Sequence, residues 1–95
     1  MARITNATLQ AQVDRLNRLT HSPLTPYIDG VAQLGNYHLE FAYGGVSLHR
    51  MGDAGRGVSK PLRCGYVTRR ELSGLIAAYI DGYDAALTAQ HKATA

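Results

Sequence analysis

The sequence predicts a single α+β domain: an N-terminal helix, an antiparallel β-meander of two to three strands, a glycine-rich basic loop, and a C-terminal helix packed on the sheet. Three observations carry that prediction. Apolar residues recur at helical spacing near both ends, at Leu9, Val13 and Leu16 and again at Leu72, Ile76, Tyr79, Ile80 and Tyr83. Between them, in NYHLEFAYGGVSLHRM at residues 36–51, the period drops to two around a pair of glycines. Finally, 95 residues of which 45% are apolar and 18% charged suit one modest core spanning residues 1–95 and argue against disorder over most of the length.

The elements follow in order. Thr5 or Asn6 can cap the first helix, because a short side-chain oxygen accepts from the unpaired first-turn amides. The helix is predicted over residues 6–20, with Leu9, Val13, Leu16 and then Leu19 or Thr20 inward. Pro23 and Pro26 end it and leave residues 21–27 as a connector. Gly35-Asn36 offers a turn, which makes Val31 to Leu34 the first strand of a meander.

Gly44 and Gly45 are expected at the hairpin centre, where positive φ is needed. That register sets Tyr43 opposite Val46, Phe41 opposite Leu48 and Leu39 opposite Arg50. Tyr37, Leu39, Phe41, Tyr43, Val46 and Leu48 then share an apolar face for the helices to cover. The other face carries His38, Glu40 and Ala42 against Ser47, His49 and Met51, with Glu40 across from His49. Two imidazoles and a carboxylate suit a divalent metal or acid–base work. The preferred reading is a solvated sheet face with a cross-strand pair worth up to about 1 kcal/mol, because no second carboxylate, serine elbow or HExxH helix accompanies it.

The stretch GDAGRGVSKPLRCGY has neither period, and a loop of this length in a small domain usually binds something. It matches neither a P-loop nor a dinucleotide fingerprint. Its charge is more informative. Residues 50–70 hold six bases (Arg50, Arg56, Lys60, Arg63, Arg69, Arg70) against Asp53 alone, whereas residues 1–49 are neutral and residues 71–95 net −2. Such asymmetry points to an anionic partner. Cys64 stands alone, so no internal disulfide or zinc-finger spacing exists, and a small apolar role in a reducing compartment is expected.

Thr68 and Glu71 form a capping box that opens the second helix. Its stripe of Leu72, Leu75, Ile76, Tyr79, Ile80, Tyr83 and Leu87 reads as core. Gly74, Ala78 and Gly82 lie beside the stripe at intervals of four, against helix propensity, and suggest a close approach by the first helix or by a second copy of the chain. Arg69 and Arg70 oppose the helix dipole, which favours an anion at that end. Residues 88–95 are small and polar and are expected to fray. No apolar run approaches the roughly 20 residues of a membrane span, and none follows Arg3, so no membrane association and a cytoplasmic location are expected.

The hairpin motif N-Y-H-L...A-Y-G-G...L-x-R, ending here at Arg50, and the helix TRRELSGLIAAYIDGY together resemble a group of short accessory proteins carried by tailed phages and prophages, over about residues 8–86. The resemblance implies an origin, and with it host-cell cytoplasm and a class rich in binders that counter host enzymes or defences. It carries no activity onto particular positions.

The expectation is therefore a non-enzymatic binding protein without a cofactor, most simply a homo-oligomer. Arg50, Arg56, Lys60, Arg63, Arg69 and Arg70 would capture a phosphate-bearing ligand, a nucleotide or signalling nucleotide, with Tyr37 or Tyr43 stacking a base. The alternative partner is an acidic host protein inhibited through the same basic edge. A metal-dependent enzyme built on His38, Glu40 and His49 ranks third. Sequence-specific DNA binding is disfavoured, since the bases lie in a loop and no recognition helix presents them.

Overall fold

The computed structural model describes residues 3–52, 58–62 and 65–94, with side chains through residue 90. The architecture is α+β, in the order α1 (Asn6–Leu19), β1 (Tyr27–Ile28), β2 (Val31–Ala32), β3 (Tyr37–Ala42), β4 (Gly45–Met51), β5 (Val58–Ser59) and α2 (Arg69–Thr94). The strands form two antiparallel sheets, β1-β2 and β3-β4-β5.

Thr5 caps α1, its Oγ1 accepting from the Thr8 amide at 3.1 Å. The helix stops one turn before Pro23. His21 takes a left-handed φ of 56° while its N–H donates to the Arg18 carbonyl. At the start of α2 the Thr68 Oγ1 accepts from the Glu71 amide at 3.1 Å and donates to the Glu71 carboxylate at 3.0 Å, both contacts running through the Thr68 hydroxyl. The helical backbone continues past residue 88 to Thr94. No described helix is long and apolar enough to cross a membrane.

Both helices lie on one face of the larger sheet, α1 against β3 and α2 against β4, and on each other. Leu9, Val13 and Leu16 from α1 meet Leu72, Ile76 and Ile80 from α2 over Tyr37, Val46 and Leu48. Each buried aliphatic side chain contributes about 1.5–3 kcal/mol. Leu75 and Leu87, assigned to the core stripe from spacing, are exposed on α2.

The hairpin register differs from the expected one by two residues. Phe41 pairs with Val46, Leu39 with Leu48, His38 with His49 and Tyr37 with Arg50. The turn is Tyr43-Gly44, both at positive φ (53° and 74°), and Gly45 belongs to β4. Gly45 is required for another reason: a Cβ there would stand 3.0 Å from the Val67 carbonyl oxygen, where residues 66–67 cross β4. Because a slip of two preserves parity, each side chain keeps its predicted face even though its partner changes.

The third strand also differs. Val31–Ala32 does not join the meander but pairs with Tyr27–Ile28 around Asp29-Gly30, both left-handed (φ 50° and 78°). The meander is completed instead from the other side, by Val58–Ser59 against Arg50 and Met51. Val67 then returns to bridge Val46 through two 2.9 Å backbone hydrogen bonds. Strand β3 is left as an edge, and Asn17 covers part of it. This fully buried side chain donates from Nδ2 to the Tyr37 carbonyl (2.9 Å) and accepts from the Tyr37 amide at Oδ1 (2.8 Å).

Candidate functional site

The face of the hairpin turned away from the helices is not the solvated surface that its polarity suggested. Ser47, His49 and Met51 are buried on it, and His38 is partly buried. Part of the cover comes from Tyr66, just before Val67, whose ring lies edge-on to His49 (centroids 6.1 Å) and to Tyr43 (5.4 Å). Lys60 lies over the other part of Tyr66, its ammonium 5.6 Å from the ring centroid. From the opposite side, Leu24, Pro26 and Tyr27 complete a cavity of about 580 Å³ with His38, Glu40 and His49.

His38 and His49 are direct cross-strand partners, with ring centroids 5.9 Å apart and planes at 74°. Glu40 lies two residues along β3 and faces Ser47 across the ladder, not His49 as expected. The three still converge: one ring nitrogen from each histidine and one Glu40 carboxylate oxygen lie within 4.8 Å of one another. His49 is 6% exposed, and its buried Nε2 has no hydrogen-bond partner. Leaving such a group unsatisfied costs about 1–3 kcal/mol. Burial pushes both imidazoles below their ordinary value. The neighbouring His49 lowers His38 further, Lys60 lowers His49, and Glu40 opposes the shift on both. The net shift favours the neutral form of both rings.

Asn36, which the motif reading passed over, fixes the tautomer of His38. Its side chain is buried, and Nδ2 donates to the Pro23 carbonyl at 2.8 Å. The reverse amide orientation would set two oxygens against each other. Asn36 Oδ1 therefore faces His38 Nδ1 at 3.2 Å, so Nδ1 carries the proton and donates. The His38 Nε2 lone pair is left available.

Among the described residues, the bases Arg50 and Arg69 are not gathered at one place. Arg50 stands at the β3 end away from the turn, its Nε donating to the Gly35 carbonyl (3.3 Å) and its guanidinium 5.0 Å from the Tyr37 ring centroid. Tyr37 is itself core, 3% exposed, with its hydroxyl 3.1 Å from that of Tyr79. Burial and that hydrogen bond push its phenol up to about 12. With Arg50 on one side and Tyr79 on the other, Tyr37 does not offer a face to a base, contrary to the expected stacking role. Tyr43 does: it is 93% exposed at the hairpin tip. Arg56, Arg63 and Cys64 lie outside the described residues.

Arg69 and Arg70 open α2 near that tip. Arg69 donates from Nε to Asn6 Oδ1 at 2.7 Å, tying α2 to the start of α1. It also borders a groove of about 530 Å³ whose other walls are Phe41, Gly44-Gly45, Val46 and Val67-Thr68. Arg50 lies four residues along β4 from Val46, roughly 13 Å away, and so belongs to a different part of the surface. Gly74 and Gly82 are exposed, and a Cβ at either would meet nothing within 4 Å, so α1 does not make the close approach that their spacing suggested.

No protein-family model, curated protein or solved structure matches the chain.

Proposed function

We propose that the protein is a non-enzymatic binding protein that captures a phosphate-bearing ligand, a nucleotide or signalling nucleotide, in the groove between the hairpin tip and the start of α2. The observation that carries this reading is that Arg69 and half-exposed Phe41 line the same open groove. A guanidinium supplies forked, charge-assisted donors for phosphate, and an aromatic face supplies a platform for a base. Arg70 and the net +5 of residues 50–70 add attraction. The charge comes from arginines and not from the amide end of α2, which Thr68 and Glu71 already occupy. The resemblance to phage accessory proteins supports a role in sequestering a host defence signal.

A second reading, inhibition of a host enzyme by direct contact, is favoured by one observation. The β1-β2 hairpin exposes Tyr27, Ile28 and Val31 together, more apolar surface than capture of a small ligand requires. Self-association through Gly74, Ala78 and Gly82 remains part of either reading, since a Cβ at Gly74 or Gly82 would meet none of the described residues within 4 Å.

Calorimetric titration with ATP and with pyrophosphate, in low and in 0.2 M salt, tests the groove. Arg69→Gln is expected to weaken binding by about tenfold or more and to flatten its salt dependence. Binding that survives with the same salt dependence overturns the groove as the site. Native mass spectrometry of protein purified from phage-infected cells separates the readings: a retained small anion supports the first and a bound host protein the second.

A further inference from the structure

We propose that His38, Glu40 and His49 form a binding site for a divalent transition-metal ion, zinc by donor type. The site is independent of the anion groove, on the opposite face of the hairpin and built from different residues.

Three observations converge on it. The first is proximity: among the described residues, these are the three metal-ligating side chains whose donor atoms come within 4.8 Å of one another. Donors bound to zinc at about 2.1 Å stand roughly 3.4 Å apart in a tetrahedron, so the set needs to close by about 1.4 Å. Glu40 is exposed and free to swing, and can supply much of that movement. The second observation is His49. Its imidazole is almost wholly buried beneath Tyr66, yet its Nε2 has no hydrogen-bond partner. A sheet face that served only as polar surface has no reason to enclose an imidazole and leave its nitrogen unmatched, and a metal ion is the partner that such an atom lacks.

The third observation is the support behind His38. Metal-bound histidines donate their second ring N–H to a fixed acceptor, which sets the tautomer and the ring orientation. Asn36 does this for His38. Its Oδ1 accepts from Nδ1 at 3.2 Å while its own Nδ2 is anchored on the Pro23 carbonyl at 2.8 Å. Asn36 is fully buried, and its backbone carbonyl also accepts from the Met51 amide at 2.8 Å, so the acceptor is held from two directions. An ordinary surface histidine has no need of a buried, doubly anchored acceptor.

Two neutral imidazoles and one carboxylate suit zinc and neighbouring first-row divalent ions far better than magnesium or calcium, which prefer all-oxygen sets. Three protein ligands leave the fourth tetrahedral position open. The adjoining cavity, with Tyr27 and Tyr66 on its walls, has room for an exogenous ligand there. Lys60, whose ammonium stands 5.6 Å from the centroid of the Tyr66 ring that lines it, favours an anionic one.

The test starts from chelator-treated, dialysed full-length protein at pH 7.5, titrated separately with zinc, cobalt(II) and magnesium. Zinc and cobalt are expected to bind one per chain, cobalt with the visible absorption of a tetrahedral site, and magnesium not at all. At a hundredfold excess of zinc over its dissociation constant, the melting temperature should rise by roughly 10–20 °C. Glu40→Gln should weaken zinc by about tenfold or more while leaving the metal-free melting temperature unchanged, because Glu40 is exposed and no structural contact depends on it. His38→Gln should abolish stoichiometric binding. These two variants decide the question even if the more deeply buried His49→Gln fails to fold. Absence of one-to-one binding overturns the site. So does binding that survives unchanged in both variants, which would place the metal on other residues such as His21.

Discussion

Replacing Asn17 with leucine is expected to remove much of the stability of the domain, although leucine is as large, as buried and a better helix former. The Asn17 side chain satisfies both the N–H and the C=O of Tyr37 on the open edge of β3, at 2.8 and 2.9 Å in a fully buried position. Leucine fills the space but leaves both backbone groups without a partner. Each orphaned group costs about 1–3 kcal/mol, so the sum centres near 3–4 kcal/mol. A chain of 95 residues has about 5–14 kcal/mol to lose. At about 4–8 °C per kcal/mol for a domain of this size, a loss of about 3 kcal/mol lowers the melting temperature by roughly 12–24 °C. The assay is urea and thermal denaturation of Asn17→Leu beside Gln10→Ala, an exposed position on the same helix whose amide bonds only Asp14. Hydrogen exchange adds a local readout, because the Tyr37 amide should lose protection before its neighbours do. A loss below about 0.5 kcal/mol, the range of surface substitutions, would refute the reasoning.

Two further expectations follow from the same structure. Because the folded state depresses the proton affinity of His38 and His49, the unfolded chain binds protons more readily. Stability from these two groups is therefore complete above about pH 6.5, the ordinary value, and is lost as the pH falls through the lower folded values. Melting of metal-free protein between pH 7 and pH 5 should accordingly fall more steeply in the wild type than in the double variant His38→Gln/His49→Gln, and equal slopes would contradict the assignment. Gly82→Leu is diagnostic because a Cβ there would meet none of the described residues within 4 Å, and the helix gains up to about 1 kcal/mol of propensity. Self-association through this face predicts a smaller species in sedimentation and a lower melting temperature; unchanged mass with a raised melting temperature would place Gly82 on a free surface.

The parts of the fold legible in the sequence were those encoded by local rules. The period of 3.6 and the Thr5 and Thr68 caps located both helices, and alternation located the hairpin and assigned each side chain its face. Register was not legible, because two adjacent glycines satisfy a turn equally well at either placement. What separates them is nonlocal: the Val67 carbonyl occupies the space a side chain at Gly45 would need. The β1-β2 hairpin carries a local signal, the Asp29-Gly30 dipeptide at left-handed φ, but strands of two residues each give it no flanking alternation. The third strand carried almost none. Val58–Ser59 is a pair inside a glycine-rich stretch, and only the open side of β4 selects it.

For the candidate sites, residue types were legible and burial was not. His38, Glu40 and His49 could be placed on one face from parity alone, since their sequence separation fixes it in any even register shift. Whether that face meets water depends on where residues 60–66 go. Tyr66 folds across His49 and Tyr43 because Val67 must bridge Val46 immediately afterwards, which turns the preceding residue onto the opposite face. The basic residues show the converse. They fall within 21 residues of sequence, so charge counting joins them, yet β4 separates Arg50 from Arg69 along its length, the first beside Tyr37 and Gly35 and the second beside Asn6 and the hairpin-tip groove. A run of like charges reports local composition, whereas a site requires side chains to converge. In this chain it is the strand pairing of His38 with His49 that brings chemically capable groups together, and Asn36, the turn residue that opens the hairpin motif, that orients one of them.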